Sequence, residues 1–304
     1  MPIAAPLTSI APWFGAKRSL APIIAQELGP HRAYCEPFCG SLAVLFALEP
    51  SSMEIANDLH GDLINLVRVL ASPHYADLTE RIERTLMAHE LYRESAAQMT
   101  VADGPIAETV AAVGPEHVER AYWFLVCAWQ GRNGVTGLCK KANGGIHLAR
   151  RFTMGGGHAP TRWRGVAESI PAWHERLRGV LIDQMDAFEL LAKLKDTAKW
   201  AIYCDPPYLV KSKPYTHDFA PADHRRLAEL LRRFRHARVV VSYYAHPDLA
   251  DLYPADRWMT RRLPVNKSLA NTGKRDTGGK TEAVECLILN GPSFAEPSGE
   301  NLFE

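Results

Sequence analysis

The chain has 304 residues, 47% of them hydrophobic and 23% charged, with a formal net charge of +1, enough to bury one large core or two modest ones. This balance excludes a disordered or globally basic chain, so a polyanionic partner has to be met by a local patch. The six cysteines (35, 39, 127, 139, 204 and 286) form no CxxC pair, as expected of reduced thiols in a cytoplasmic protein; neither a signal-peptide pattern nor an apolar run of membrane-spanning length is present.

The first chemistry-bearing stretch is Trp13-Phe14-Gly15-Ala16-Lys17-Arg18, which offers a flat apolar wall and a cation to a small ligand. It precedes an apolar-periodic segment, residues 20–28, that predicts a helix. Residues 33–36 read as a strand and Glu36-Pro37-Phe38-Cys39-Gly40-Ser41 as a glycine turn, followed by a helix over residues 42–48 with free N–H groups at its start. No GxGxxG fingerprint occurs, so a dinucleotide is not indicated. Residues 53–58 give a second short strand ending in an acid, Asp58. An acid there suits the two hydroxyls of a ribose, and equally suits capping the helix predicted over residues 59–70. Asp62, one turn into that helix, reads as a solvated or supporting acid.

Residues 72–114 are helical in pattern, mixed in charge and without evident chemistry. Residues 120–164 differ: eight Lys or Arg (120, 132, 140, 141, 150, 151, 162, 164) stand there without one Asp or Glu. Tyr122, Trp123, Phe124, Trp129, Phe152 and Trp163 are interleaved among clustered glycines. A solvated face normally carries both signs, whereas one-sign charge with aromatics suits phosphate contact and base stacking. Arg132, Lys140, Lys141, Arg150, Arg151 and Arg162 are the nucleic-acid candidates there.

Residues 170–177 read as a short helix, then residues 180–186 as a strand leading into a helix over 189–194. Asp186 either accepts a hydrogen bond from an adenine amino group or caps that helix. The apolar run from Trp200 to Cys204 reads as a buried strand, stopped by Asp205-Pro206-Pro207-Tyr208 because two prolines lack the ladder N–H. The turn is stiff and holds an acid and an aromatic ring past the carboxyl end of a strand, where ligands sit in open α/β sheets. Residues 209–219 are polar and irregular, as a mobile loop over a site would be. A helix over 221–235 and a buried strand over 238–244 follow. Residues 257–280 carry seven basic residues against the single acid Asp276, Lys274 and Arg275 among them, and residues 283–290 read as the last strand.

In order along the chain, Trp13/Gly15/Lys17, Glu36-Pro37-Phe38-Cys39-Gly40, Asn57-Asp58 and Tyr203-Cys204-Asp205-Pro206-Pro207-Tyr208 resemble the Dam-like, α-group adenine-specific DNA methyltransferases. Glu175-Arg176-Leu177-Arg178-Gly179-Val180 and the closing Glu285-Cys286-Leu287-Ile288-Leu289-Asn290 are similar to the phage-type branch. The resemblance implies an α/β fold, a mostly parallel Rossmann-like sheet with helices on both faces and a helical DNA-recognition insertion. Residues 1–71 and 179–292 would form the catalytic S-adenosylmethionine-binding domain, 72–178 the target-recognition insertion and 293–304 a loose tail.

Carried over by position, Trp13, Lys17, Phe38, Gly40, Asp58, Asp186 and Asp205 would hold S-adenosylmethionine, which leaves as S-adenosylhomocysteine. Asp205, Pro206, Pro207 and Tyr208 would act on a flipped-out adenine, with no metal, on double-stranded DNA. A monomer in the cytoplasm of a bacterial or phage-infected cell is the expected setting. The family's glycine motif usually ends in a second small residue where Leu42 stands here. Methylation of the cytosine 4-amino group, and a non-catalytic DNA-binding regulator on the same fold, stay open as alternatives at this point.

Overall fold

Apolar side chains stand at consecutive positions in the central strands, and successive ones enter different cores. In a computed structural model of the chain, which describes residues 8–12, 17–100, 104–131, 159–209, 219–265 and 283–295, seven strands form one sheet. They are β1 (Ala33–Glu36), β2 (Met53–Asn57), β3 (Val180–Asp183), β4 (Trp200–Cys204), β5 (Arg238–Tyr244), β6 (Met259–Val265) and β7 (Ala283–Leu289). The order is β3-β2-β1-β4-β5-β7-β6. The pairs among β1 to β5 are parallel, and β7 runs antiparallel to both β5 and β6.

Tyr34, Ala201, Tyr203, Val240 and Leu287 point into one core, and their chain neighbours Cys35, Ile202, Cys204, Val241 and Ile288 into the other. The first core receives α1 (Ala21–Leu28) and α2 (Gly61–Ala71), and the second α7 (Ala187–Lys193), α8 (Pro221–Leu231) and α9 (Leu249–Leu252), so helices cover both faces as expected. The first core also runs outward through α3 (Tyr75–Glu83), α4 (His89–Met99), α5 (Pro115–Gln130) and α6 (Ala159–Leu177). No helix among the described residues is long and apolar enough to cross a membrane.

Several local expectations change. The helix expected over residues 42–48 is only a 3-10 turn, Leu45–Ala47. Leu42 has φ +61°, the left-handed region, so a right-handed helix cannot run through it; its N–H instead closes a turn on the Cys39 carbonyl at 2.9 Å. The helix expected over residues 170–177 begins at Ala159 and carries Pro171 in its interior. A strand not expected from the sequence, β6, falls in the basic segment 257–280: it is an edge strand rather than an apolar run, and Arg261 donates to Glu27 at 2.8 Å. Tyr122, Trp123, Phe124 and Trp163 are buried in the first core and are not base-stacking rings. Arg120 is buried too, donating to Asp62 at 2.7 Å and to the Gln98 carbonyl at 2.9 Å, which gives Asp62 an interior partner in place of solvent.

The carboxyl edge is stitched by Asn57, the buried last residue of β2. Its side-chain amide donates to the carbonyls of Pro37 at 2.9 Å and Met185 at 3.0 Å, its side-chain oxygen accepts the Met185 N–H at 2.9 Å, and its own carbonyl accepts the Cys39 N–H at 2.9 Å. The turns after β1, β2 and β3 are thereby tied to one side chain. At the opposite end of β2, Arg176 on α6 donates to Glu54 at 2.8 Å and to the Leu45 carbonyl at 3.0 Å, fixing the end of α6 against the sheet.

Candidate active site

Two prolines end β4, so the residues after it leave the ladder and turn across the carboxyl edge of the sheet. Asp205 is the first of them. Lys17 reaches it from the turn ahead of α1, where the Lys17 carbonyl accepts the N–H groups of Leu20 at 2.8 Å and Ala21 at 2.6 Å. Lys17 Nζ donates to Asp205 Oδ2 at 2.9 Å and to the Tyr208 hydroxyl at 2.6 Å. The Tyr208 hydroxyl in turn donates to Glu285 Oε1 at 2.5 Å. Asp205 Oδ1 lies 2.8 Å from the same ammonium but outside hydrogen-bond geometry, and it is buried without a donor among the described residues.

The charges bias one another. Burial works against the Lys17 ammonium, yet the Asp205 and Glu285 carboxylates outweigh it and hold its pKa above the usual lysine value. Burial pushes the Asp205 and Glu285 carboxyls up, and Lys17 opposes that shift at both. Glu36, at the end of β1, is buried and its carboxyl is pushed well above the usual range by burial, with Asp205 and Asp58 adding to the rise. The Tyr208 ring is half-buried and meets Tyr244 edge-on at 4.5 Å.

Beside this cluster lies the glycine turn. Gly40 has φ +45°, a conformation that favours glycine. Its N–H donates to Asp58 Oδ2 at 3.0 Å, and the His60 N–H donates to Oδ1 at 2.9 Å. The cap of α2 is His60, whose Nδ1 accepts the Leu63 N–H at 3.3 Å. Asp58 thereby links the turn after β1 to the residue that caps α2. Phe38 stands half-buried at the same edge, edge-on to Phe219 at 5.7 Å, and Phe219 stacks on Phe188 at 5.6 Å. Asp186 does cap α7, its Oδ1 accepting from Phe188 at 2.8 Å and Glu189 at 3.3 Å.

Lys17, Phe38, Gly40, Asp58, Asp186, Asp205 and Tyr208 are thus gathered on the carboxyl edge. Arg162 is apart from them along the chain, exposed on α6. Trp13, Arg132, Lys140, Lys141, Arg150, Arg151, Lys274 and Arg275 lie outside the described residues. Two residues at this edge went unrecognised in the sequence. Asn57 carried no signal beyond its place next to Asp58. Glu285 did carry one, a lone acid inside the otherwise apolar run of β7.

A strand-terminal acid before two prolines, a glycine turn, and an acid after the second strand occupy one edge of a 3-2-1-4-5-7-6 sheet. The family model of D12 class N6 adenine-specific DNA methyltransferases matches residues 13–268. The chain belongs to this family. A curated relative, the retron Ec67 DNA adenine methylase of Escherichia coli, is 26% identical over 226 residues, which cover 74% of this chain and 72% of the relative. The enzyme is a DNA adenine methyltransferase, and DNA is its substrate. The matched span of the methyltransferase takes in Lys17, Asp58, Asp205 and Tyr208 and stops short of Glu285.

Proposed function

We propose that the enzyme moves a methyl group from S-adenosylmethionine to the 6-amino nitrogen of an adenine flipped out of double-stranded DNA. The observation that carries this reading is Asp205 at the end of β4: Lys17 holds its Oδ2 at 2.9 Å, while its Oδ1 accepts no hydrogen bond among the described residues. A carboxylate oxygen that is ion-paired but accepts no hydrogen bond can take an N–H of the incoming base.

The residues present fit the cofactor. Asp58 supplies a carboxylate for ribose hydroxyls, Gly40 a turn without a side chain, and Phe38 an apolar wall. Trp13, Lys17 and Asp205 complete the pocket. Asp186 joins through the oxygen that its helix cap leaves unused. Bound S-adenosylmethionine supplies an electrophilic methyl on a sulfonium sulfur, which is why no metal is needed. S-adenosylhomocysteine is the product.

The adenine amine is a poor nucleophile because its lone pair is delocalised into the ring. Asp205 Oδ1 accepts one of its N–H bonds and the Pro206 carbonyl the other, which favours a tetrahedral nitrogen with a localised lone pair. Pro206 and Pro207 hold those acceptors in place, and Tyr208 stacks on the flipped base. As the N–C bond forms, the departing amine proton is held at Asp205 Oδ1. Alignment by these groups supplies much of the acceleration.

Residues 1–71 and 179–292 form the catalytic domain in this reading, and 72–178 the insertion that reads DNA, with 293–304 a tail. Arg132, Lys140, Lys141, Arg150, Arg151, Arg162, Lys274 and Arg275 contact DNA, and the enzyme works as a cytoplasmic monomer. The test is single-turnover methylation of DNA by Asp205→Ala. Loss of the acceptor lowers the rate by at least about 100-fold. A variant that keeps more than about half of the wild-type rate sinks the assignment.

A further inference from the structure

Glu285 lies beyond the family match and has no part in the mechanism above. Its side chain is 3% exposed in β7, among Val284, Cys286 and Leu287. A buried acid in an apolar strand is costly unless its oxygens are engaged. Here Oε1 accepts the Tyr208 hydroxyl proton at 2.5 Å and stands 3.5 Å from Lys17 Nζ.

The hydrogen-bond directions then follow. A protonated lysine has donors only, so the 2.6 Å contact between Lys17 Nζ and the Tyr208 oxygen uses a lone pair of the tyrosine. The tyrosine has a single proton to give, and Glu285 takes it. The Asp205 carboxylate stands beside that hydroxyl on the same ammonium, with Lys17 Nζ 2.9 Å from Asp205 Oδ2 and 2.6 Å from the Tyr208 oxygen. Without Glu285 the tyrosine proton turns to Asp205, the acceptor that the adenine amine requires.

We infer that Glu285 is a positioning residue: by drawing the Tyr208 hydroxyl proton to itself, it keeps the Asp205 carboxylate open for the amine of the target base. The inference rests on the role proposed for Asp205. Register provides the means, since Glu285 pairs with Tyr244 across β5 and β7, and the Tyr244 ring packs against Tyr208. One strand position thus fixes both the ring and the hydroxyl of Tyr208.

The test is a double-mutant cycle on the full chain, with single-turnover rates at saturating DNA and S-adenosylmethionine. Glu285→Ala should lower the rate by about 10- to 100-fold, the equivalent of one charged hydrogen bond, and change cofactor affinity less than about threefold. Glu285→Gln, whose amide oxygen still accepts the proton, should recover to within about threefold of wild type. In a Tyr208→Phe background no proton is left to misdirect, and Glu285→Ala should cost less than about twofold. Glu285→Met, similar in length and without an acceptor, asks the same question if the alanine variant folds poorly. An equal loss in both backgrounds, or none in the first, overturns the inference. Asp205→Ala run alongside separates the cases, because an active Asp205→Ala removes the underlying mechanism, whereas an inactive one leaves Glu285 alone at fault.

Discussion

Lys17 and Asp205 are 188 residues apart in the chain and 2.8 Å apart in the fold. Lys17→Met leaves two buried carboxylates without their shared cation. Breaking a buried pair costs about 3–5 kcal/mol, and Asp205, whose side chain is 23% exposed, places this case at the lower end. The sign with pH follows from the shifts. Lys17, raised in the fold, contributes stability that is present below its unfolded pKa and lost as pH rises through the folded value. Asp205 and Glu285 are raised by burial, so their ionisation costs stability as pH rises through their folded values. The cation matters most when both acids are ionised, so the variant should lose more stability at about pH 8 than at about pH 5. Urea unfolding at the two pH values measures the difference, and an equal loss would show that the acids do not titrate against Lys17.

Much of this edge was legible because its chemistry is local. Asp205 before two prolines, Gly40 in a turn and Asp58 after a strand each declare themselves within a few residues. Glu285 and Asn57 act through partners far off in the chain: the lone acid in the apolar run of β7 marks Glu285 as unusual, but only the fold shows what either residue holds. The aromatics of residues 120–164 misled for a related reason. Composition records that Tyr122, Trp123 and Phe124 stand among basic residues, but only packing shows that they fill the interior of α5 and that Arg120 has an acid of its own. The helix expected at residues 42–48 failed on a single backbone angle that leucine seldom adopts.

Asp58→Ala should weaken S-adenosylmethionine binding by about 1.5–3 kcal/mol, the value of hydrogen bonds to a charged group. The loss has two sources, the ribose contacts and the release of the Gly40 and His60 N–H groups that the carboxylate now holds. DNA affinity should change far less. Calorimetry with each ligand separates the two, and unchanged cofactor affinity would reduce Asp58 to a tie between loops.

Leu42 gives a stability test with an unusual order. It is fully buried, so replacement by a small residue costs roughly 2–5 kcal/mol of packing. At φ +61°, however, any side chain strains the backbone by about 1–2 kcal/mol. Leu42→Gly should therefore be more stable than Leu42→Ala by about 1 kcal/mol, the reverse of the usual ranking within regular structure. Denaturant midpoints of the two variants decide it; alanine at or above glycine would mean that the turn relaxes out of the left-handed region.

Two sites in the same acid-free stretch should give opposite results. Arg162 and Arg164 are exposed on α6 and flank Trp163, which is buried and donates to the Thr85 carbonyl at 2.9 Å. The tryptophan anchors the helix while both guanidinium groups stay in solvent. Arg162 also bears on Arg18, whose pKa is lowered by burial and then by this like charge. Like charges held near one another by a rigid helix suit an anionic backbone. Replacing Arg162 and Arg164 together with Ala should lower the log–log salt slope of DNA binding by roughly 1–2 on any sequence. Fold stability should stay within about 0.5 kcal/mol. Arg120 is the counter-case, since its guanidinium is spent on Asp62 and the Gln98 carbonyl. Arg120→Ala strands a buried acid and should destabilise the fold by about 3 kcal/mol while leaving the slope unchanged. Binding isotherms at several salt concentrations, paired with urea unfolding, read both outcomes. A slope unaltered by the loss of Arg162 and Arg164 would take this face of α6 out of the DNA interface.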